Sequence, residues 1–192
     1  PTGAGLAAAA FPLVLGGMLG GIILTLRVQG AIRRLVGLAA FGVAAGVVIV
    51  TVMQTWFGIL AGSWLLNAAA VALSVTATGA LIIGLAALLG PIGIGVGAVI
   101  TLLVANPIAG AAVPSPFLPS PWGAIGQWFV PGASVTLLRS TSYFPDAATA
   151  AQWLTLAAWL AGGVLLTLIG HRRTAAELAP AAPEPEAPPV AA

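Results

Sequence analysis

The chain has no cysteine and no lysine, and only four of its 192 residues are acidic. Without cysteine there is no disulfide, no thiol nucleophile and no thiolate-held metal, and the redox compartment stays open. Without lysine there is no Walker-type phosphate loop, whose lysine must reach the nucleotide phosphates, and no Schiff base. Charged residues make up 5% of the chain, against about 25% in soluble domains. A chain so poor in charge cannot cover its surface in water. What it has instead is 60% hydrophobic residues, 25 glycines and 15 prolines. That composition describes an integral membrane protein.

The six basic residues are all arginine. They flank apolar runs and form no stripe, so nucleic acid is not an expected partner, and membrane lipid is. A spanning helix needs about 20 apolar residues. Candidate spans cover residues 6–26, 35–55, 64–89, 91–112 and 153–170, giving an all-α polytopic bundle of five transmembrane helices. Arg27, Arg33 and Arg34 follow the first span, and His171, Arg172 and Arg173 follow the last. Five spans put both groups on one side, which the positive-inside rule makes the cytoplasm, with Pro1 outside. Trp56, Trp64, Trp122, Trp128 and Trp153 then fall at the outer interface, where indole rings prefer to sit, and Trp159 lies deeper. The chain begins at Pro1, and its first apolar run has no basic segment before it, unlike a signal peptide. It reads as the C-terminal part of a longer protein. Residues 174–192, rich in Ala, Pro and Glu, read as a disordered cytoplasmic tail.

The fourth span is the irregular one. From Pro91 to Ala105 a helix reaches about 22 Å at 1.5 Å per residue, short of a bilayer core of roughly 30 Å. Asn106-Pro107 then interrupts it, because proline lacks the N–H and clashes with the preceding turn. The expectation is a kinked helix on to Ala112; the alternative is a stop and a fold back within the outer leaflet. The external segment that follows, 113–150, is apolar and aromatic with almost no charge. This fits short helices lying at the membrane interface, SPWGAIGQWF from Ser120 and GASVTLLRSTSYF from Gly132, broken at Pro131. Within it, PSPFLPSPW (Pro114 to Trp122) reads as a stiff corner. Pro114, Phe117, Trp122, Trp128 and Arg139 are the candidate cap residues, and alanine at Phe117 or Trp122 is expected to loosen the cap. Arg139 is expected either to approach Asp146 or to meet lipid phosphates.

Glycines recur at four-residue spacing, Gly16 with Gly20, Gly17 with Gly21, Gly42 with Gly46 and Gly93 with Gly97. Such spacing lets helix backbones approach closely in lipid. For Gly16, Gly17, Gly20 and Gly21 the readings are packing inside the bundle or a homodimer face. No ionisable residue falls well within a span, so there is no carboxylate for a proton relay or a metal, and no catalytic, metal or cofactor site is expected. The intramembrane polar groups are Gln54, Asn67 and Asn106, with Ser74, Thr76 and Thr78. They serve either helix–helix hydrogen bonds or a substrate path. His171, beside two arginines, reads as an interfacial side chain.

The stretch NPIAGAAVPSPFLPSPWGAIGQWFVPGASVTLLRSTSYF, with the opening PTGAGLAAAAFPLVLGGMLGG, resembles ABC transporter permeases of the type-2 exporter class. It is closest to the YhgE/Pip (phage-infection-protein-like) membrane proteins of bacteria. In that family a first span and a large extracytoplasmic domain precede five further spans. The resemblance implies a plasma-membrane subunit that is not itself an enzyme, exporting hydrophobic or amphipathic envelope molecules with energy from a partner ATPase. The competing expectation is a membrane anchor or scaffold for an extracytoplasmic domain. An intramembrane enzyme is disfavoured, because no acid, thiol or paired histidine lies at depth.

Overall fold

Helices with a small residue every fourth position can bring their axes close, and this bundle is organised around one helix that four others approach in that way. The computed structural model describes residues 2–111 and 113–177, and every element in them is helical. In chain order these are α1 (Thr2–Arg27), α2 (Ala31–Val50), α3 (Trp64–Leu89), α4 (Pro91–Ala98), α5 (Trp122–Gly126), α6 (Val130–Tyr143) and α7 (Ala150–Glu177). Two of them change pitch at their ends. α2 continues as a π-helical stretch, Thr51–Trp56, and α4 as another, Val99–Ala105.

The helix ends follow local chemistry. Arg34 caps α1 from the next helix, its Nε donating to the carbonyl of Val28 (2.7 Å) and an Nη to that of Thr25 (3.0 Å). A cation there satisfies orphan carbonyls and complements the negative end of the helix dipole. Ser63 caps α3, accepting from the Leu66 N–H. Gly90, at φ 66°, ends α3, and Pro91 starts α4 in the next position. A left-handed glycine followed by proline is what so abrupt a reversal requires.

Four helices are long and apolar enough to cross a membrane: Ala10–Arg27, Ala31–Trp56, Trp64–Leu89 and Ala150–Arg172. The chain is a multi-pass membrane protein. The fourth expected span is shorter than anticipated: helix ends at Ala105, not at Ala112, and Asn106 to Ile108 form a turn. Pro107 cannot donate to continue the ladder, so the chain folds back. The expected tail, 174–192, lies outside the described residues except that α7 runs on through Glu177.

α3 is the central column. Its Ala70, Ala77 and Ala80 are fully buried, and α1, α2, α4, α6 and α7 all pack on it. Each spanning neighbour turns glycines toward it. Gly17 and Gly21 of α1 lie against Thr78 and Gly79, and Gly42 and Gly46 of α2 against Thr76 and Ala68. Gly93 and Gly97 of α4 meet Leu85 and Ile82, while Gly163 and Gly170 of α7 meet Ala80 and Ala87. A Cβ at Gly46 would stand 2.5 Å from the Ala68 carbonyl oxygen, and one at Gly163 2.4 Å from the Ala80 carbonyl carbon. Backbone contact of this kind is available only to glycine. Gly20 meets the ring of Phe41 on α2, and a Cβ at Gly16 would meet nothing within 4 Å. Three of the four glycines in GGMLGG are therefore used inside the bundle.

α6 departs from the expected interfacial helix. It stands upright beside α3, with Ala133, Leu137 and Leu138 in the same buried cluster as Val71 and Val75. Its C-terminal end bonds to Asn67 near the start of α3, and its first turn reaches the level of Thr78. The sequence conceals this because α6 is only 14 residues long and carries six hydroxyls and an arginine. Pro131, expected to separate two helices, sits in the first turn of α6, where its missing N–H costs nothing.

The helices define two ends. Arg34, Gly90 and His171 line one cavity of about 370 Å³, which brings both arginine-rich groups to the same end. Residues 57–63 and the C-terminal end of α6 form the opposite, cap end, while the start of α6 lies at mid-depth beside Thr78.

Candidate functional site

At the cap end the sequence-predicted polar residues Gln54 and Asn67 meet in one cluster. Asn67 is fully buried. Its Nδ2 donates to Gln54 Oε1 (3.0 Å) and to the Ala61 carbonyl (2.8 Å), and its Oδ1 accepts from Thr141 (2.7 Å) and Ser142 (3.3 Å). Gln54 Nε2 donates in turn to the Gly62 carbonyl (3.0 Å), and the Tyr143 hydroxyl to the Ile59 carbonyl. This cluster ties the α2–α3 loop, the start of α3 and the end of α6 together. Its partners are fully used, so it acts as a latch. Gly62, at φ 74°, belongs to it, since a Cβ there would stand 2.5 Å from the Thr141 carbonyl oxygen.

Asn106 is not part of this cluster. It closes the π-helical end of α4, its N–H donating to Thr101 O (3.1 Å) and its carbonyl accepting from Ala109 N (3.2 Å). Among the described residues Arg139 makes no ion pair with Asp146. Its guanidinium donates to the carbonyls of Gly110 (3.2 Å) and Ala111 (3.4 Å), fixing the chain after α4 to α6. Those carbonyls end a segment with no helix to satisfy them, so the one charge on α6 serves the backbone.

The corner PSPFLPSPW contains a short 3₁₀ turn, Ser115–Phe117, and a cis peptide before Pro121. Pro114 is exposed, as are Phe117 (78%), Trp122 (54%) and Trp128 (78%). The cap aromatics thus face outward. The corner is held by backbone approach at Gly123, where a Cβ would stand 2.0 Å from Ser115 O.

Beneath the cap three cavities run in series across the bundle. An open apolar groove of about 350 Å³ lies along α7, lined by Thr155, Ala158, Trp159, Gly162 and Leu166, with Leu81 of α3 and Trp128. Leu81 and Trp159 also wall a second space of about 10 Å³, together with Thr78, Thr101, Val130 and Pro131. Thr78, Val130 and Pro131 recur in a third, also about 10 Å³, which continues past Ser74 and Ser134 to Leu13 and Val14 of α1. Trp159 and Leu81 stand between the groove and the middle space. Its Nε1 donates to the Trp128 carbonyl (2.7 Å), and its ring stacks on Phe129 with centroids 6.0 Å apart.

Hydroxyls in the regular helices bond back to the carbonyl four residues earlier, as Ser74, Thr78, Ser134 and Thr167 do. Thr101 differs. It is 3% exposed, and among the described residues its Oγ1 is buried without a hydrogen-bond partner. It sits in the π-helical stretch, whose wider turns carry backbone bonds five residues apart. The sequence offers no signal for Thr101, because the π stretch was not legible. Trp159 was visible only as the tryptophan set deeper than the rest.

Comparison of the chain with protein-family models, with curated proteins and with solved structures finds no match.

Proposed function

We propose that the chain is a permease-like membrane subunit that moves hydrophobic or amphipathic molecules. In this reading the membrane is a bacterial plasma membrane, the arginine end faces the cytoplasm and the cap faces outward. The subunit is not itself an enzyme, and energy comes from a separate ATPase. The supporting observation is the groove along α7 and the two spaces in line with it beneath the cap. A helix bundle built only to anchor has no use for an apolar opening that leads inward past a tryptophan. Small-molecule sites in bundles occur between helices and are mostly apolar with a few placed polar groups. Thr155, Thr101, Thr78 and Ser134 fill that second role. A homodimer, with Gly16 free on α1, would place two such paths side by side.

The test is reconstitution of the full-length protein in vesicles with its co-purifying ATPase, following a fluorescent amphiphile between leaflets. ATP-dependent movement that stops when bulky residues fill the groove (Gly162→Leu) supports the proposal. Failure to co-purify with any ATPase, together with no movement, overturns it. The second reading, an anchor or scaffold, is favoured by the satisfied latch around Asn67, which holds the cap rigidly. It requires that an unrelated membrane anchor replace this block without loss of function.

A further inference from the structure

We propose that the buried start of α6 and the Thr101 hydroxyl together form a site for the oxygen end of a single acyl chain. That end is a carboxylate or an ester carbonyl, the tail lies in the α7 groove, and Trp159 is the gate between them. The inference deepens the permease reading and rests on it for its ligand class.

Three observations meet at the middle cavity. The first is α6 itself, a 14-residue helix whose first turn is buried in the bundle, Val130 at 5% and Ala133 at 0% exposure. The first N–H groups of a helix have no partner within it, and their end of the dipole carries about half a positive charge. Ala133 N is satisfied by the Phe129 carbonyl (3.0 Å) and Pro131 has no N–H, which leaves Val130 and Gly132 as the donors of that turn. A helix that starts inside a membrane bundle presents these donors where no bulk water screens them, the arrangement that suits an anionic or carbonyl oxygen. The second is Thr101, almost wholly buried, lining the same space as Val130 and Pro131 and bearing an unpartnered hydroxyl. A buried hydroxyl without a partner is unfavourable, because it gives up its bonds to water and receives none in exchange. Its place opposite a helix start gives it a partner once an acceptor oxygen enters.

The third is size. The middle space is about 10 Å³, room for one water and no more. The groove on the far side of Trp159 is about 350 Å³ and almost wholly apolar in its lining side chains, within the range of small-molecule sites. An acyl chain fits the groove, and its terminal oxygens reach the inner donors only if Trp159 swings aside. Trp159 is held to the Trp128 carbonyl and the Phe129 ring, both in the segment that leads into α6. Opening the gate therefore shifts the segment that sets the first turn of α6.

The test uses the purified full chain in nanodiscs and reads tryptophan fluorescence quenched by bromine. Three probes are titrated: a brominated single-chain fatty acid, a bromoalkane of equal length, and a brominated phospholipid built into the disc. The fatty acid should quench saturably and the bromoalkane should not. Thr101→Val should weaken fatty-acid binding about fivefold, the loss of one hydrogen bond, while Thr101→Ser should keep it. Thr101→Val removes an unpartnered hydroxyl at constant shape, so its thermal midpoint should match or exceed that of the wild type. Saturable quenching by the phospholipid, lost in Thr101→Val, identifies the ester carbonyl as the source and also supports the site. Equal binding by Thr101→Val and the wild type, or saturable binding of the bromoalkane with the affinity of the fatty acid, overturns it. Binding at equilibrium needs no ATPase, so a protein that binds but does not transport sinks the permease reading and leaves the site standing.

Discussion

The two ways in which helices hold to α3 differ in kind. α1, α2, α4 and α7 approach it backbone to backbone through glycine, with almost no side-chain chemistry. α6 approaches it through leucine and alanine and is then fastened by hydrogen bonds at its upper end. The first mode suits long helices in lipid, where close packing drives association and polar groups add little. A 14-residue helix with six hydroxyls and an arginine has too little apolar face for that mode, and without fastening it would not stay inserted. Glycine seams are rigid because they tolerate no added atom. A polar latch fails in steps, one bond at a time.

The largest expected effect breaks the glycine seam. Gly163→Ala places a methyl 2.4 Å from the Ala80 carbonyl carbon and 2.6 Å from its oxygen. Backbone on both sides cannot give way, so overpacking should destabilise the bundle by about 3 kcal/mol. The thermal midpoint in detergent should fall accordingly. Gly16→Ala is the control, with open space at the Cβ position. Its midpoint should be unchanged, and equal effects at the two sites would remove the seam as an explanation.

Next comes the latch. Asn67→Leu removes both donors and the acceptor, leaving the Ala61 carbonyl and the Ser142 hydroxyl without this partner. The expected loss is about 2–3 kcal/mol. Unlike the seam variant, it should open the cap locally before the bundle unfolds. Hydrogen exchange should show amides of residues 130–143 losing protection while those of α3 beyond Thr76 keep theirs. Uniform loss across both would mean that α6 is part of the bundle core in the same sense as α7.

Arg139→Met should do less, about 1–2 kcal/mol, because two long bonds to carbonyls at 3.2 and 3.4 Å are replaced by an apolar side chain of similar length. The readout is proteolytic nicking after α4, expected to rise around Gly110. Phe117→Ala should change the midpoint by less than about 0.5 kcal/mol, since its ring is 78% exposed. That reverses the expectation that this ring holds the cap together.

The spanning helices were legible because each is a run of apolar residues ended by arginine, glycine or tryptophan, and those signals need no knowledge of partners. Glycine spacing was legible as close packing, but the choice of α3 as common partner was not, because nothing in a helix's own spacing names its neighbour. Gln54 and Asn67 were legible as polar groups in an apolar setting. That they serve α6 was hidden, since Thr141 and Ser142 lie 74 and 75 residues further on. The π-helical stretches left no mark in the sequence, and with them went Thr101. The sequence hides the upright pose of α6 because its hydroxyls look polar there, whereas in the fold Ser134 bonds back to its own helix and Thr141 and Ser142 bond to Asn67.

The smallest effect tests the latch by pH. The chain contains a single tyrosine, so phenolate absorbance reports Tyr143 alone. Burial pushes its phenol above the ordinary value of 10.0, and donation to the Ile59 carbonyl also requires the proton. The folded state therefore holds this proton more tightly than the unfolded state does. By linkage the stability it supports is complete below the unfolded pKa and is lost as pH rises from there through the folded value. The absorbance midpoint of the native protein should lie above that of the denatured chain, and the thermal midpoint should begin to fall above about pH 10. Tyr143→Phe should flatten that alkaline slope and leave the midpoint at neutral pH only slightly lower. A native absorbance midpoint at or below the denatured one would mean that the Tyr143 hydroxyl is free in solution, and that the latch ends at Ser142.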